Sequence, residues 1–177
     1  MHGVFYFREM KKIVLILGVL LSTVTMAQEK IQWMSIEEAY ALTLSEENPK
    51  KIFIDVYTDW CGWCKRMDKA TFQNAEVAAY MNANYYNVKF DAEQRESVVI
   101  LDNTFKFIPQ GNRGYHELAA ALLNGKMSYP TVVFMNDKFE LLSPVPGYQE
   151  PTGFLQVAKF FGDDIYKVQS WQDYTRQ

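Results

Sequence analysis

The chain is 177 residues long, room for one ordinary domain. Hydrophobic residues make up 49% and charged residues 22%, which allows a packed core and excludes a disordered chain. With 18 Lys+Arg against 21 Asp+Glu and no basic run, nucleic acid and anionic membrane surfaces are poor partners.

Lys11 and Lys12 precede the apolar run from Ile13 to Leu21, and small and polar residues follow to Thr25-Met26-Ala27. That order predicts a signal peptide over residues 1–27, cleaved after Ala27. The run is shorter than the roughly 18 apolar residues that usually cross a bilayer. No Cys stands directly after it, which argues against a lipid anchor. Met10 would serve as an alternative start, since Met10-Lys11-Lys12 alone makes a positive leader. Cleavage removes Arg8, Lys11, Lys12 and Glu9 and leaves a net charge of −5 on residues 28–177. Those residues form the expected exported or periplasmic domain, in a compartment where disulfides persist.

In chain order, a short strand around Ile31–Trp33 comes first. Ser35-Ile36-Glu37-Glu38 has the pattern of a capping box and predicts a helix from Ile36 to about Leu44. Lys51 to Tyr57 is an apolar, β-branched and aromatic run that predicts a strand buried on both faces. A helix opens at Cys61–Cys64, and Asn74 caps another through about Met81. Tyr86 to Phe90 predicts a strand, and Val98 to Ile108 a hairpin turning at Asp102-Asn103. A loop over Gln110–Gly114 leads to a helix from Tyr115 to Leu123, stopped by Asn124-Gly125. Thr131–Met135 and Phe139–Leu142 predict a hairpin, and Pro151 to Phe161 a final helix. The order implies an α/β fold: a mixed sheet with helices on both faces.

The two cysteines, Cys61 and Cys64, stand three positions apart. A loop that short yields only about 2 kcal/mol as a staple, less than a long loop would give. Chemistry explains the pair better. A Cys at a helix N-terminus faces unpaired N–H groups and the positive end of the helix dipole, which favour the nucleophilic thiolate. One further turn brings the second Cys within disulfide reach. Cys61 is expected to be exposed and Cys64 covered. Zinc is a poor alternative: the pair supplies two ligands of four, and only His116 lies beyond the leader. Covalent haem needs His after the second Cys, and position 65 is Lys. An inert disulfide stays open on these residues alone. His116 reads as structural.

Trp60-Cys61-Gly62-Trp63-Cys64-Lys65 resembles the W-C-x-x-C-K active site of the thioredoxin family. Asp55, six residues before Cys61, matches the family's buried strand Asp, and Lys89 in the next central strand matches the Lys that often pairs with it. Tyr129-Pro130-Thr131 matches the cis-Pro step facing the cysteines, and Gly147 the Gly of the substrate groove. The likeness covers about Trp33 to Gly162. Two departures stand out: Gly-Trp replaces Gly-Pro between the cysteines, and residues from about 92 to 123 form an insertion before the cis-Pro strand.

The resemblance implies a thioredoxin-like fold and thiol–disulfide exchange with protein substrates. Cys61, Cys64, Asp55 and Pro130 would be catalytic, with Asp55 handling the Cys64 proton. Trp60, Trp63, Tyr129 and Gly147 would bind substrate, and Lys89 would support Asp55. No dissociable cofactor is expected, because the Cys61–Cys64 disulfide carries the electrons, and no metal. The expected partners are protein thiols or disulfides and a membrane electron-delivery or quinone-linked redox protein. No dimerisation segment stands out, so a monomer is expected. A redox-inert binding module of the same fold is the alternative function. Oxidase, reductase and isomerase are all compatible with these residues.

Overall fold

The computed structural model describes residues 29–176. The expected leader and its cleavage site at Ala27 lie outside them. Five strands form the main sheet in the order β1-β3-β2-β8-β9: β1 (Trp33–Met34), β2 (Lys51–Tyr57), β3 (Tyr85–Asp91), β8 (Thr131–Met135) and β9 (Leu141–Pro146). β1 and β2 run parallel to β3, while β8 and β9 are antiparallel to their neighbours. This is the mixed α/β sheet with helices on both faces that the element order implied.

Alternation along β2 sets the two cores. Ile52, Ile54 and Val56 pack with α1 (Ile36–Ser45) and the insertion. Phe53 points to the other face, among residues of α2 (Gly62–Ala70), α3 (Ala75–Asn84) and α5 (Pro151–Gly162). Asp55 shares that second face by parity. The capping box on α1 is complete: Glu38 N–H donates to Ser35 Oγ at 3.1 Å and Ser35 N–H to Glu38 carboxylate at 2.8 Å. Asn74 caps α3 through Glu76 and Val77.

The insertion departs from expectation. The single hairpin expected over Val98–Ile108 is two. β4 (Val98–Ile100) and β5 (Asn103–Phe105) join through Leu101-Asp102, both at positive φ, which closes the turn at once and ends the pairing at Phe105. β6 (Phe107–Gln110) and β7 (Arg113–His116) then turn at Gly111, φ +60. Tyr115 therefore starts no helix, because its ladder with Ile108 holds it extended. The helix α4 spans Glu117–Leu122, and Asn124 and Gly125 stop it at positive φ. His116 caps it: Nδ1 accepts from Leu118 N–H at 3.2 Å and Nε2 faces the Glu96 carbonyl at 3.1 Å. Burial pushes its imidazole pKa down, in keeping with a neutral, structural residue.

Other boundaries shift as well. The last hairpin's return strand begins at Leu141 rather than Phe139, because Asn136 Oδ1 accepts from both Lys138 and Glu140 N–H and winds 136–140 into a turn. β1 falls on Trp33–Met34, α3 continues to Asn84, and a short α6 (Trp171–Thr175) packs Trp171 and Tyr174 against Phe160.

Candidate active site

The strand β2 ends at Tyr57, and a tight turn brings Cys61 N–H onto the Thr58 carbonyl at 3.1 Å. Cys61 is the N-cap of α2, and its Sγ accepts from Cys64 N–H at 3.1 Å. The two are disulfide-bonded, with Cα atoms 5.3 Å apart. Both are covered, Cys61 at 4% and Cys64 at 3% exposure. The expected exposed Cys61 is thus corrected. In the disulfide its sulfur turns inward onto the first turn of α2.

Asp55 is 2% exposed, directly across the parallel ladder from Lys89. Its Oδ1 has no hydrogen-bond partner and its Oδ2 lies 3.7 Å from Lys89 Nζ. Burial dominates and pushes its pKa from 3.8 up to about 7; Lys89 pulls it back down, and Asp68 pushes it up. Lys89 does not belong to Asp55 alone. Its ammonium hydrogen-bonds Asp68 Oδ1 and sits over the rings of Trp33 and Tyr57, 5.4 and 5.1 Å from their centroids.

The Tyr129–Pro130 bond is cis, as the resemblance implied. Pro130 is buried, and its carbonyl accepts from Gly147 N–H at 2.8 Å. Gly147 sits at φ +94 with open space where a Cβ would be, so its backbone rather than crowding calls for glycine. Tyr129 meets Trp60 edge-to-face at 5.9 Å, and burial pushes its phenol up to about 12.

Trp60 precedes Cys61, Trp63 lies between the two cysteines, and they stand out at 52% and 55% exposure. Each is braced. Trp60 Nε1 donates to Glu93 at 3.0 Å, and the Arg113 guanidinium covers its ring at 4.9 Å. Trp63 packs on Tyr148 at 5.4 Å, with Arg66 over both rings. Arg113 comes from β7, so the insertion reaches the tryptophan next to Cys61. Asp68, Glu93, Arg113, Arg66 and Tyr148 were not singled out from sequence. Asp68 had a signal: it is four residues past Cys64, on the same helix face. Arg113 had none, because a hairpin return leaves no local trace.

A thioredoxin-like fold carrying a close, disulfide-bonded Cys pair at a helix start is an architecture suited to thiol–disulfide exchange. The chain belongs to the Thioredox_DsbH family, a family of unknown function designated DUF255, whose pattern it matches over residues 21–145. Among solved structures it resembles a thioredoxin-fold protein from Helicobacter pylori, with 21% identity, a TM-score of 0.55, and coverage of 79% of this chain and 91% of that one. It also resembles a DsbH oxidoreductase at 19% identity and a TM-score of 0.53, covering 85% of this chain and 94% of that one. At these identities the likeness is one of fold. An uncharacterized Caenorhabditis elegans protein, B0495.5, is 33% identical over 75 residues, which are 42% of this chain and 10% of that protein. The chain thus spans about a tenth of the length of the curated relatives it matches.

Proposed function

We propose that this protein is an exported thiol–disulfide oxidoreductase that exchanges disulfides with protein substrates through Cys61 and Cys64. The observation that carries the reading is the Cys61–Cys64 disulfide at the first turn of α2, with Cys61 as N-cap. The N–H groups and dipole there stabilise a Cys61 thiolate once the bond is reduced. In the reductive direction that thiolate attacks one sulfur of a substrate disulfide, forms a mixed disulfide and expels the other substrate sulfur as a thiolate. Cys64 then attacks the Cys61 sulfur, its proton passing to the Asp55 carboxylate, and the second substrate sulfur leaves. The Cys61–Cys64 disulfide is regenerated, and two electrons have moved to the substrate.

Asp55, with its pKa at about 7, suits a base that takes and returns a proton near neutral pH. Pro130 presents backbone to the substrate chain, its own carbonyl held by Gly147. Trp60, Trp63 and Tyr129 offer aromatic surface at the rim. Export rests on the leader pattern of residues 11–27, and a membrane electron-delivery protein would restore the dithiol.

Insulin reduction with dithiothreitol, followed by turbidity, tests the activity. The wild type should accelerate it and Cys61→Ser should not. A wild type no faster than Cys61→Ser would instead favour a redox-inert module that binds through Trp60 and Trp63.

A further inference from the structure

The Lys89 ammonium has two carboxylates within reach and serves them unequally. It hydrogen-bonds Asp68 Oδ1 but stays 3.7 Å from Asp55 Oδ2. The rings of Trp33 and Tyr57 cradle it in that position. Asp68 lies one turn beyond Cys64 on α2, half-buried, at the outer side of the group. Asp55, at its inner side, keeps Oδ1 buried and unpaired. From β3 it is faced by Lys89, from α2 by Asp68, on its own strand by Tyr57; its β8 partner, Val132, is apolar.

We infer that Asp68 is a positioning residue: by holding the Lys89 ammonium outward, it leaves the buried Asp55 carboxyl able to take and return the Cys64 proton near neutral pH. The inference rests on the exchange reading above and adds a residue to it. Without the Asp68 charge, Lys89 has one carboxylate left. The ammonium closes on Asp55 and holds it ionised, as an opposite charge at close range does. Asp55 is then a weaker base. The direct repulsion between the two carboxylates disappears at the same time and acts in the same direction.

Titrating the Asp55 carboxyl carbon by NMR in the oxidised protein tests this without reference to activity. The wild-type midpoint should lie at about 7. In Asp68→Asn it should fall by about one unit or more, the effect of one opposite charge at close range. Asp68→Glu should restore it. In a Lys89→Met background Asp68→Asn should shift it far less, since the ammonium to be positioned is gone. The pH inflection of mixed-disulfide resolution, followed by quench and mass spectrometry, should move down with the midpoint, while formation of the mixed disulfide stays unchanged. An unmoved midpoint in Asp68→Asn, or equal shifts in Asn and Glu variants, overturns the role of Asp68. If Asp55→Asn instead resolves mixed disulfides at the wild-type rate, what fails is the assignment of Asp55 as base, which the titration does not address.

Discussion

Replacing Asp55 by Asn should change how stability depends on pH, and the size of the change follows from the burial of this one carboxyl. In the fold its pKa stands at about 7 against 3.8 in an unfolded chain. A raised folded value means that the native state holds a proton which the unfolded state releases. The stability is fully present below pH ~4 and is lost as the pH rises to ~7. About three units at 1.36 kcal/mol each make that loss about 4 kcal/mol. Asn keeps the shape and cannot ionise, so its stability should not decline for this reason. A buried amide with incomplete hydrogen bonding costs about 1–3 kcal/mol, but that offset is the same at every pH. The readout is therefore the difference between wild type and variant, not either value alone. Subtraction also cancels His116 and Asp91, whose shifted groups titrate in both proteins. The assay is urea unfolding of the oxidised proteins from pH 4 to 8, which keeps the cysteines from titrating. The variant should gain on the wild type by about 3–4 kcal/mol between pH 4 and pH 8. A flat difference across that range would refute a protonated, buried Asp55.

Two further outcomes are expected. Gly147→Ala places an L residue at φ +94, where no neighbour blocks the new Cβ but the backbone is strained; stability in urea should fall by about 1–2 kcal/mol, and insulin reduction should fall with it as the Gly147–Pro130 hydrogen bond loosens. Unchanged values for both would mean that the groove does not depend on this glycine. Arg113→Ala removes the guanidinium over Trp60, an exposed cation–π contact of about 0.5–1 kcal/mol, so the fold should be little affected. Reduction of a small aromatic disulfide should proceed at the wild-type rate while KM for a protein disulfide rises about two- to fivefold, the equivalent of that contact energy. If both reactions slow alike, the insertion supports the scaffold and does not select substrates.

What was legible in the sequence is what local chemistry writes locally. Ser35 and Glu38 spell a cap three residues apart, the apolar run of β2 needs no partner to be seen, and Cys61 and Cys64 declare a helix start. Asp55, Lys89, Pro130 and Gly147 came from matching a known pattern, and the structure brings Asp55 to Lys89 and Pro130 to Gly147. The insertion escaped because its pairings are set by where turns fall. Leu101-Asp102 closes one residue earlier than the Asp-Asn pair suggests, and the later boundaries of the insertion move with it. Trp60's braces escaped for another reason. Glu93 is 33 residues away, and nothing in either segment marks the contact.

Asp68 is the intermediate case, and it explains why the pair Asp55–Lys89 could be named while its balance could not. A single Asp four residues after Cys64 reads equally as a solvated helix face or as a neighbour of the redox centre. Only the placement of α2 across β3 decides, because it sets Lys89 between two carboxylates rather than against one. The proton affinity of Asp55 is thus not a property of its strand alone. Burial raises it, and a contest between this carboxylate and the half-buried Asp68 for the same ammonium sets how far Lys89 pulls it back, the half-buried one having the shorter reach. Had the ammonium settled on Asp55, the carboxylate would stay ionised at neutral pH and would be a poor acceptor for the Cys64 proton. The same burial makes Asp55 costly to stability as the pH rises from ~4 to ~7, so the site's usefulness as a base and the protein's loss of stability have one physical origin.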